Sequence, residues 1–153
     1  MVSTKIKGNV IFESTPNFFC HLPEETQKKM QATWTDALNT SKFILAPRGC
    51  GLNSIRFFEA LSFGRIPILI ADDTKLPLEE KIDYSEFVIR VPESEMDTIP
   101  QLIEEFKEKN DLVIASRLAL TTWEENFSGG RLRRYLENVL PKVSRVKKSK
   151  LLV

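Results

Sequence analysis

Residues 45–70 read LAPRGCGLNSIRFFEALSFGRIPILI, and the order of residue types in this stretch decides the fold. FILA (43–46) is a short unbroken apolar run closed by Pro47, the pattern of a strand buried in a parallel sheet. Gly49, Cys50 and Gly51 follow as a loop. Ser54 suits the N-cap of a helix over 55–63, and Gly64 suits the cap at its far end. IPILI (66–70) is the next buried strand, with Pro67 near its start. Strand, glycine loop, capped helix, glycine and strand make a βαβ unit, whose crossover is expected to be right-handed.

Outward from this unit, NVIF (9–12) reads as an edge strand. Residues 24–39 read as a helix with Met30, Trp34, Ala37 and Leu38 on one side. FVIRV (87–91) is a further strand, and residues 98–108, 110–126 and 130–145 read as three helices. Trp123 and Phe127 are expected to pack as core anchors near the end of the second, and Gly129-Gly130 breaks the chain before the third. The expected class is α/β: a Rossmann-like three-layer domain with a mostly parallel sheet and helices on both faces.

The 153 residues suit one domain over 1–153, with 1–40 as a partial lead-in and 129–153 as a basic C-terminal helix and tail. A chain of this size buries roughly 70% of its unfolded surface, enough for a core without staples. Hydrophobic residues at 42% and charged residues at 28% are an ordinary soluble composition. The net charge of +1 points to no partner. The tail is less even: Arg131, Arg133, Arg134, Lys142, Arg145, Lys147, Lys148 and Lys150 face a single acid, Glu137. Such a tail could touch phosphates or an anionic membrane, but it reads better as a solvated helix end, where cations complement the macrodipole. Without interleaved aromatics or a motif it does not support nucleic-acid binding. Cys20 and Cys50 make no disulfide framework, and with His21 the only histidine no zinc site is expected. There is no run of about 18 apolar residues and no signal-peptide pattern, so no integral membrane segment is expected and the chain reads as soluble.

The chemistry gathers at the glycine loop. In an open parallel sheet, ligands bind beyond the carboxyl ends of the strands. Gly49 and Gly51 let the backbone turn tightly there, and the helix starting near Ser54 presents free amides and a positive dipole end. Arg48 ends the strand and Arg56 lies in the first helical turn, where a cation opposes the dipole at about 0.3–1 kcal/mol. From Lys42 to Ala71 the only acid is Glu59, against Lys42, Arg48, Arg56 and Arg65. A site so composed lacks an anion, and a diphosphate supplies one through bidentate arginine and backbone bonds. Glu59 sits on IRFFEALSF (55–63), apolar almost all round, so it is expected to be largely buried. One turn below the phosphate-binding end, it can accept hydrogen bonds from ribose hydroxyls. The plainer reading is an Arg56–Glu59 ion pair, worth about 0.2–0.5 kcal/mol on a helix surface.

Other phosphate motifs fit poorly. A P-loop requires GxxxxGK[ST] and the lysine is missing; in GCGLNS, Ser54 stands where a dinucleotide fingerprint has its third glycine. Asp72-Asp73 after the IPILI strand could hold a divalent metal, but with Thr74 and Pro77 nearby they read better as a solvated turn.

SKFILAPRG (41–49), SIRFFEALSFGRIPILI (54–70) and LPLEEKIDYSEF (76–87), with TTWEENF (121–127) as a fainter echo, resemble the exostosin family of glycosyltransferases. The resemblance runs from about Ser41 to Phe127, and its order and spacing are more specific than any single motif. It implies a GT-B-type enzyme of two Rossmann-like domains with the active site between them, this chain corresponding to the C-terminal half that binds the nucleotide sugar. It also implies metal-independent transfer without a cofactor, usually with inversion, acting in polysaccharide biosynthesis. Arg48, Gly49, Ser54, Arg56 and Glu59 fall on the family pattern. By that analogy the loop and arginines, with Gly51 and Asn53, hold the diphosphate of a nucleotide sugar, a UDP-sugar foremost, and Glu59 holds the ribose.

A complete enzyme of this kind needs an N-terminal half carrying saccharide-acceptor contacts and the general base, and only about 40 residues precede the motif. The chain is therefore expected to be part of a hexosyl or hexuronosyl transferase, with no catalytic base assigned, or else a non-catalytic nucleotide-sugar-binding partner or regulatory module. As a stand-alone chain it is expected in the cytoplasm; cut from a eukaryotic family member, in the Golgi lumen.

Overall fold

The computed structural model describes residues 22–49 and 53–130. The strand expected at 9–12, the helix expected over 130–145, the basic tail, and Cys20, His21, Cys50 and Gly51 lie outside these residues. In chain order the elements are α1 (Glu24–Thr40), β1 (Phe43–Pro47), α2 (Ile55–Ser62), β2 (Ile66–Ile70), β3 (Ile89–Val91), α3 (Ile99–Lys109) and α4 (Leu112–Thr122). Short 3-10 segments, Tyr84–Glu86 and Glu93–Thr98, precede β3 and α3, and a π-turn, Trp123–Phe127, closes α4.

The strands form a parallel sheet in the order β1-β2-β3. Leu45 lies opposite Ile68, and Ile68 opposite Ile89. All five residues of β2 are buried, as an apolar run in the middle of a parallel sheet should be. Pro67 fits in this central strand for a geometric reason. Ile66 N–H donates to Lys42 O, and Ile70 O accepts from Arg48 N–H, so the even-numbered residues bond towards β1. Pro67 therefore faces the β3 side, where pairing begins only at Ile68, and no ladder bond is lost.

Neighbouring residues of a strand point to opposite faces, and both faces are covered. Ile44 clusters with Leu38 of α1 and Ala60 of α2; Phe43 meets the edge of Phe106 from α3 at 6.2 Å between ring centroids. This is the expected α/β Rossmann-like arrangement, with helices on both faces. The main core joins Phe57 and Leu61 of α2 to Ile66, Ile68, Leu69 and Val91 of the sheet. Gly64 turns the chain from α2 into β2 at φ +61°, and a Cβ there would lie 3.2 Å from Ser116 O of α4, so glycine serves both the backbone and the close packing. Phe127 is buried edge-on to Phe58 and Trp123 packs beside it, as expected for the anchors at the end of α4.

Some boundaries move. The strand expected over 87–91 begins at Ile89, because Phe87 N–H and Val88 N–H both bond Tyr84 O and close the preceding turn. The helix expected over 110–126 begins at Leu112, where the Asp111 carboxylate accepts from Val113 N–H and Ile114 N–H at 2.7 and 3.2 Å, a full N-cap. It then widens into the π-turn. Ser54 holds the N-cap position of α2 in extended conformation but makes no cap bond. No helix among the described residues is long and apolar enough to cross a membrane.

Candidate functional site

The carboxyl ends of the three strands bring three charged residues together. Arg48 follows β1, Asp72 follows β2 and Glu93 follows β3. Arg48 N–H donates to Ile70 O at 3.0 Å. Its guanidinium Nε stands 2.9 Å from Glu93 Oε1, a buried oxygen that meets it at ion-pair distance without an aligned hydrogen bond. Asp72 Oδ1 accepts from Glu93 N–H at 2.9 Å and so fixes the start of the segment that carries Glu93. Asp72 thus serves a turn; no group of three His, Cys, Asp or Glu among the described residues is placed to hold a metal ion.

The visible edges of the glycine loop close on each other: Gly49 N–H donates to Asn53 O at 3.2 Å. A Cβ at Gly49 would lie 3.3 Å from that same oxygen, a crowding that glycine avoids. Asn53 is exposed. Ser54 is 4% exposed, and its Oγ has no hydrogen-bond partner among the described residues. A buried hydroxyl without a partner carries a desolvation penalty of roughly 1–3 kcal/mol, so this one, at the amino end of α2, needs a reason.

Arg56 and Glu59 do pair, Nη1 to Oε2 at 2.8 Å. The same Oε2 accepts from Trp34 Nε1–H of α1 at 3.0 Å, and the Arg56 guanidinium lies 3.9 Å over the Trp34 ring, a cation–π contact. Two expectations change here. Glu59 is not largely buried: its side chain is 35% exposed, because α2 buries only Phe57, Ala60 and Leu61 and leaves Ile55 77% exposed. Nor are the arginines short of an anion. Glu59 is the only acid between Lys42 and Ala71, but the fold delivers Glu93 to Arg48 from beyond β3. Both ion pairs are about half-exposed, and such pairs are worth about 0–1 kcal/mol.

Arg65 stands apart. It donates to Leu38 O at 2.5 Å and Asn39 O at 2.7 Å, placing a cation on the last carbonyls of α1. Residues 76–87 form a brace beside β3. Arg90 pairs with Glu79 and donates to Thr74 O, and Tyr84 Oη donates to Pro77 O at 2.6 Å. The Leu76 N–H bond, then Arg90, holds the Glu79 carboxyl below its ordinary pKa, while burial, then the Glu79 charge, raises the Tyr84 phenol above its own. The open cleft of about 530 Å³ along Glu79, Tyr84 and Arg90 therefore has polar groups already tied to one another.

Of the residues expected at the site, Arg48, Gly49, Asn53, Ser54, Arg56 and Glu59 follow one another from the end of β1 into α2, and Gly51 lies outside the described residues. Trp34, Asp72 and Glu93 join them through bonds from outside residues 45–70. Trp34 alone carried a signal, an indole N–H that must find an acceptor when half-buried, though its helical spacing marked it only as a core residue.

Fold and loop together define the class: an α/β Rossmann-like domain with a cationic glycine loop at the carboxyl edge of its sheet. A family model described as the Exostosin GT47 domain matches residues 3–106, about two thirds of the chain, and the chain belongs to the exostosin GT47 family. It is 40% identical over 70 residues to an exostosin-1 homolog of Caenorhabditis elegans, covering 46% of this chain and 18% of that protein. It is 30% identical over 104 residues to exostosin-1 of Drosophila melanogaster, covering 68% and 14%. A rice (Oryza sativa subsp. japonica) protein named "Probable glucuronosyltransferase GUT1" is 39% identical over 70 residues, covering 46% and 16%. The chain spans less than a fifth of the length of these relatives.

Proposed function

We propose that this domain binds the nucleotide-diphosphate sugar of a glycosyl-transfer reaction, as the C-terminal, donor-binding half of a GT-B enzyme. The observation that carries the reading is the buried Ser54 hydroxyl at the amino end of α2, unpartnered among the described residues and in the same first turn as Arg56. A phosphate oxygen accepts from that hydroxyl and from the free amides of the helix end. The two guanidiniums exchange weak, half-exposed carboxylate contacts for the stronger charge-assisted bonds of a diphosphate. Glu59, on the next turn, accepts from ribose hydroxyls. In transfer, these cations and the helix end stabilise the departing diphosphate, which is electrostatic catalysis without a covalent step. No residue described here is assigned as general base, and the saccharide acceptor is assigned to the other half of a GT-B active site.

Titration calorimetry with UDP, GDP and ADP, in buffer free of divalent metal, tests this. Saturable binding of at least one nucleotide is expected, weakened at least tenfold in Arg56→Ala and in Glu59→Ala, in line with about 1.5–3 kcal/mol for a hydrogen bond to a charged group. A folded protein that binds none of the three overturns the reading.

A further inference from the structure

We infer that Trp34 is a positioning residue of this site, holding Glu59 in place while Arg56 changes partners; the inference rests on the donor-binding reading above. In the structure Glu59 Oε2 takes both of its hydrogen bonds on one side, from Trp34 Nε1–H at 3.0 Å and Arg56 Nη1–H at 2.8 Å. Oε1 accepts none from the described residues. Trp34 is well placed for a fixed role. It packs against the Leu38, Ile44 and Ala60 cluster, so the indole is anchored between α1 and the sheet, whereas Arg56 is half-exposed.

The consequence follows from what a diphosphate would do. A phosphate draws the Arg56 guanidinium away from Glu59, since an arginine–phosphate contact is stronger than an exposed ion pair. Arg56 is then no longer a dependable anchor for the carboxylate. The indole N–H is a neutral donor and, unlike the guanidinium, gains no ion pair by leaving Oε2 for a phosphate. It keeps one carboxylate oxygen occupied and leaves the other to accept from ligand hydroxyls. Trp34 also gives Arg56 an aromatic face to lie on, 3.9 Å from its centroid, which favours the cation near the loop over solvent. Trp34 thereby contributes to recognition of a vicinal diol without touching the ligand.

The test compares UDP with 2′,3′-dideoxy-UDP, which carries the same diphosphate and no ribose hydroxyl. Trp34→Phe keeps a ring for packing and for Arg56 but removes the N–H. It is expected to weaken UDP about five- to tenfold, the range of one lost hydrogen bond to a charged group, and to leave the dideoxy compound unchanged. Equal weakening of both ligands makes Trp34 a merely structural residue and overturns the inference. Unchanged UDP affinity overturns it too, while leaving the donor reading intact; no binding of UDP by the unaltered protein overturns both. A second measurement needs no change at Trp34. In Trp123→Phe, whose remaining indole is Trp34, saturation with UDP is expected to shift the emission, and an unshifted spectrum in the saturated protein overturns the inference.

Discussion

Arg48 and Arg56 each rest against a carboxylate, and the two carboxylates differ in what they offer. Glu59 lies within the same helix as its arginine and is shared with Trp34. Glu93 comes from beyond β3, with its backbone tethered to Asp72 and one oxygen buried. If Arg48 serves a diphosphate, Glu93 is its competitor. Glu93→Gln removes the competing charge and keeps the shape, so nucleoside diphosphate binding is expected to tighten by roughly two- to fivefold, the equivalent of an exposed pair of up to about 1 kcal/mol. Calorimetry in low and in moderate salt checks this; an affinity unmoved by the change places Arg48 outside the site.

At the scale of the element, α2 is a short helix whose N-cap residue does not cap. The contrast within the molecule is with α4, where Asp111 binds two amides. Asp111→Ala is therefore expected to lower stability by about 1 kcal/mol, the ordinary value of a satisfied N-cap. Ser54→Ala removes no side-chain hydrogen bond among the described residues and relieves a buried hydroxyl, so it is expected to keep stability or raise it, by up to about 1–3 kcal/mol. Urea unfolding of the two variants side by side measures the difference. A loss of about 1 kcal/mol in Ser54→Ala means that the hydroxyl caps α2 in solution, and it removes the feature on which the phosphate reading most depends.

Across the whole molecule, the sheet is held at its β3 edge by the brace of residues 76–87, and Tyr84 is its buried centre. Tyr84 packs on Phe57 and Phe87 and donates to Pro77 O. Burial raises its phenol above the ordinary value, so the folded state holds the proton more tightly than the unfolded chain. The stability this represents is complete below the unfolded pKa of about 10; it is lost as pH rises through the unfolded towards the folded value, because only the unfolded chain releases the proton. Urea midpoints between pH 7 and pH 11 are expected to fall more steeply for the unaltered protein above pH 10 than for Tyr84→Phe. The variant starts lower at pH 7 by about 1 kcal/mol, the cost of its missing hydrogen bond. Parallel curves would mean that Tyr84 ionises freely and that the brace is open.

The βαβ unit was legible in residues 45–70 because its signals are local. Apolar runs of strand length, a glycine where φ is positive at Gly64, and a proline near the start of the second strand all act within a few residues of themselves. The start of β3 was not legible, since Phe87 and Val88 are as apolar in a turn as in a strand, and only the position of Tyr84 O decides which bond their amides make. The site divides the same way. Arg48, Ser54, Arg56 and Glu59 stand in the sequence as a group, so their residue types and order follow from the chain alone. Which carboxylate meets which guanidinium does not. Trp34 reaches Glu59 across 25 residues, and Glu93 reaches Arg48 only because parallel strands end on the same edge of the sheet. Charge pairing depends on distance in space, and that distance is fixed by packing the elements together, not by their separation along the chain.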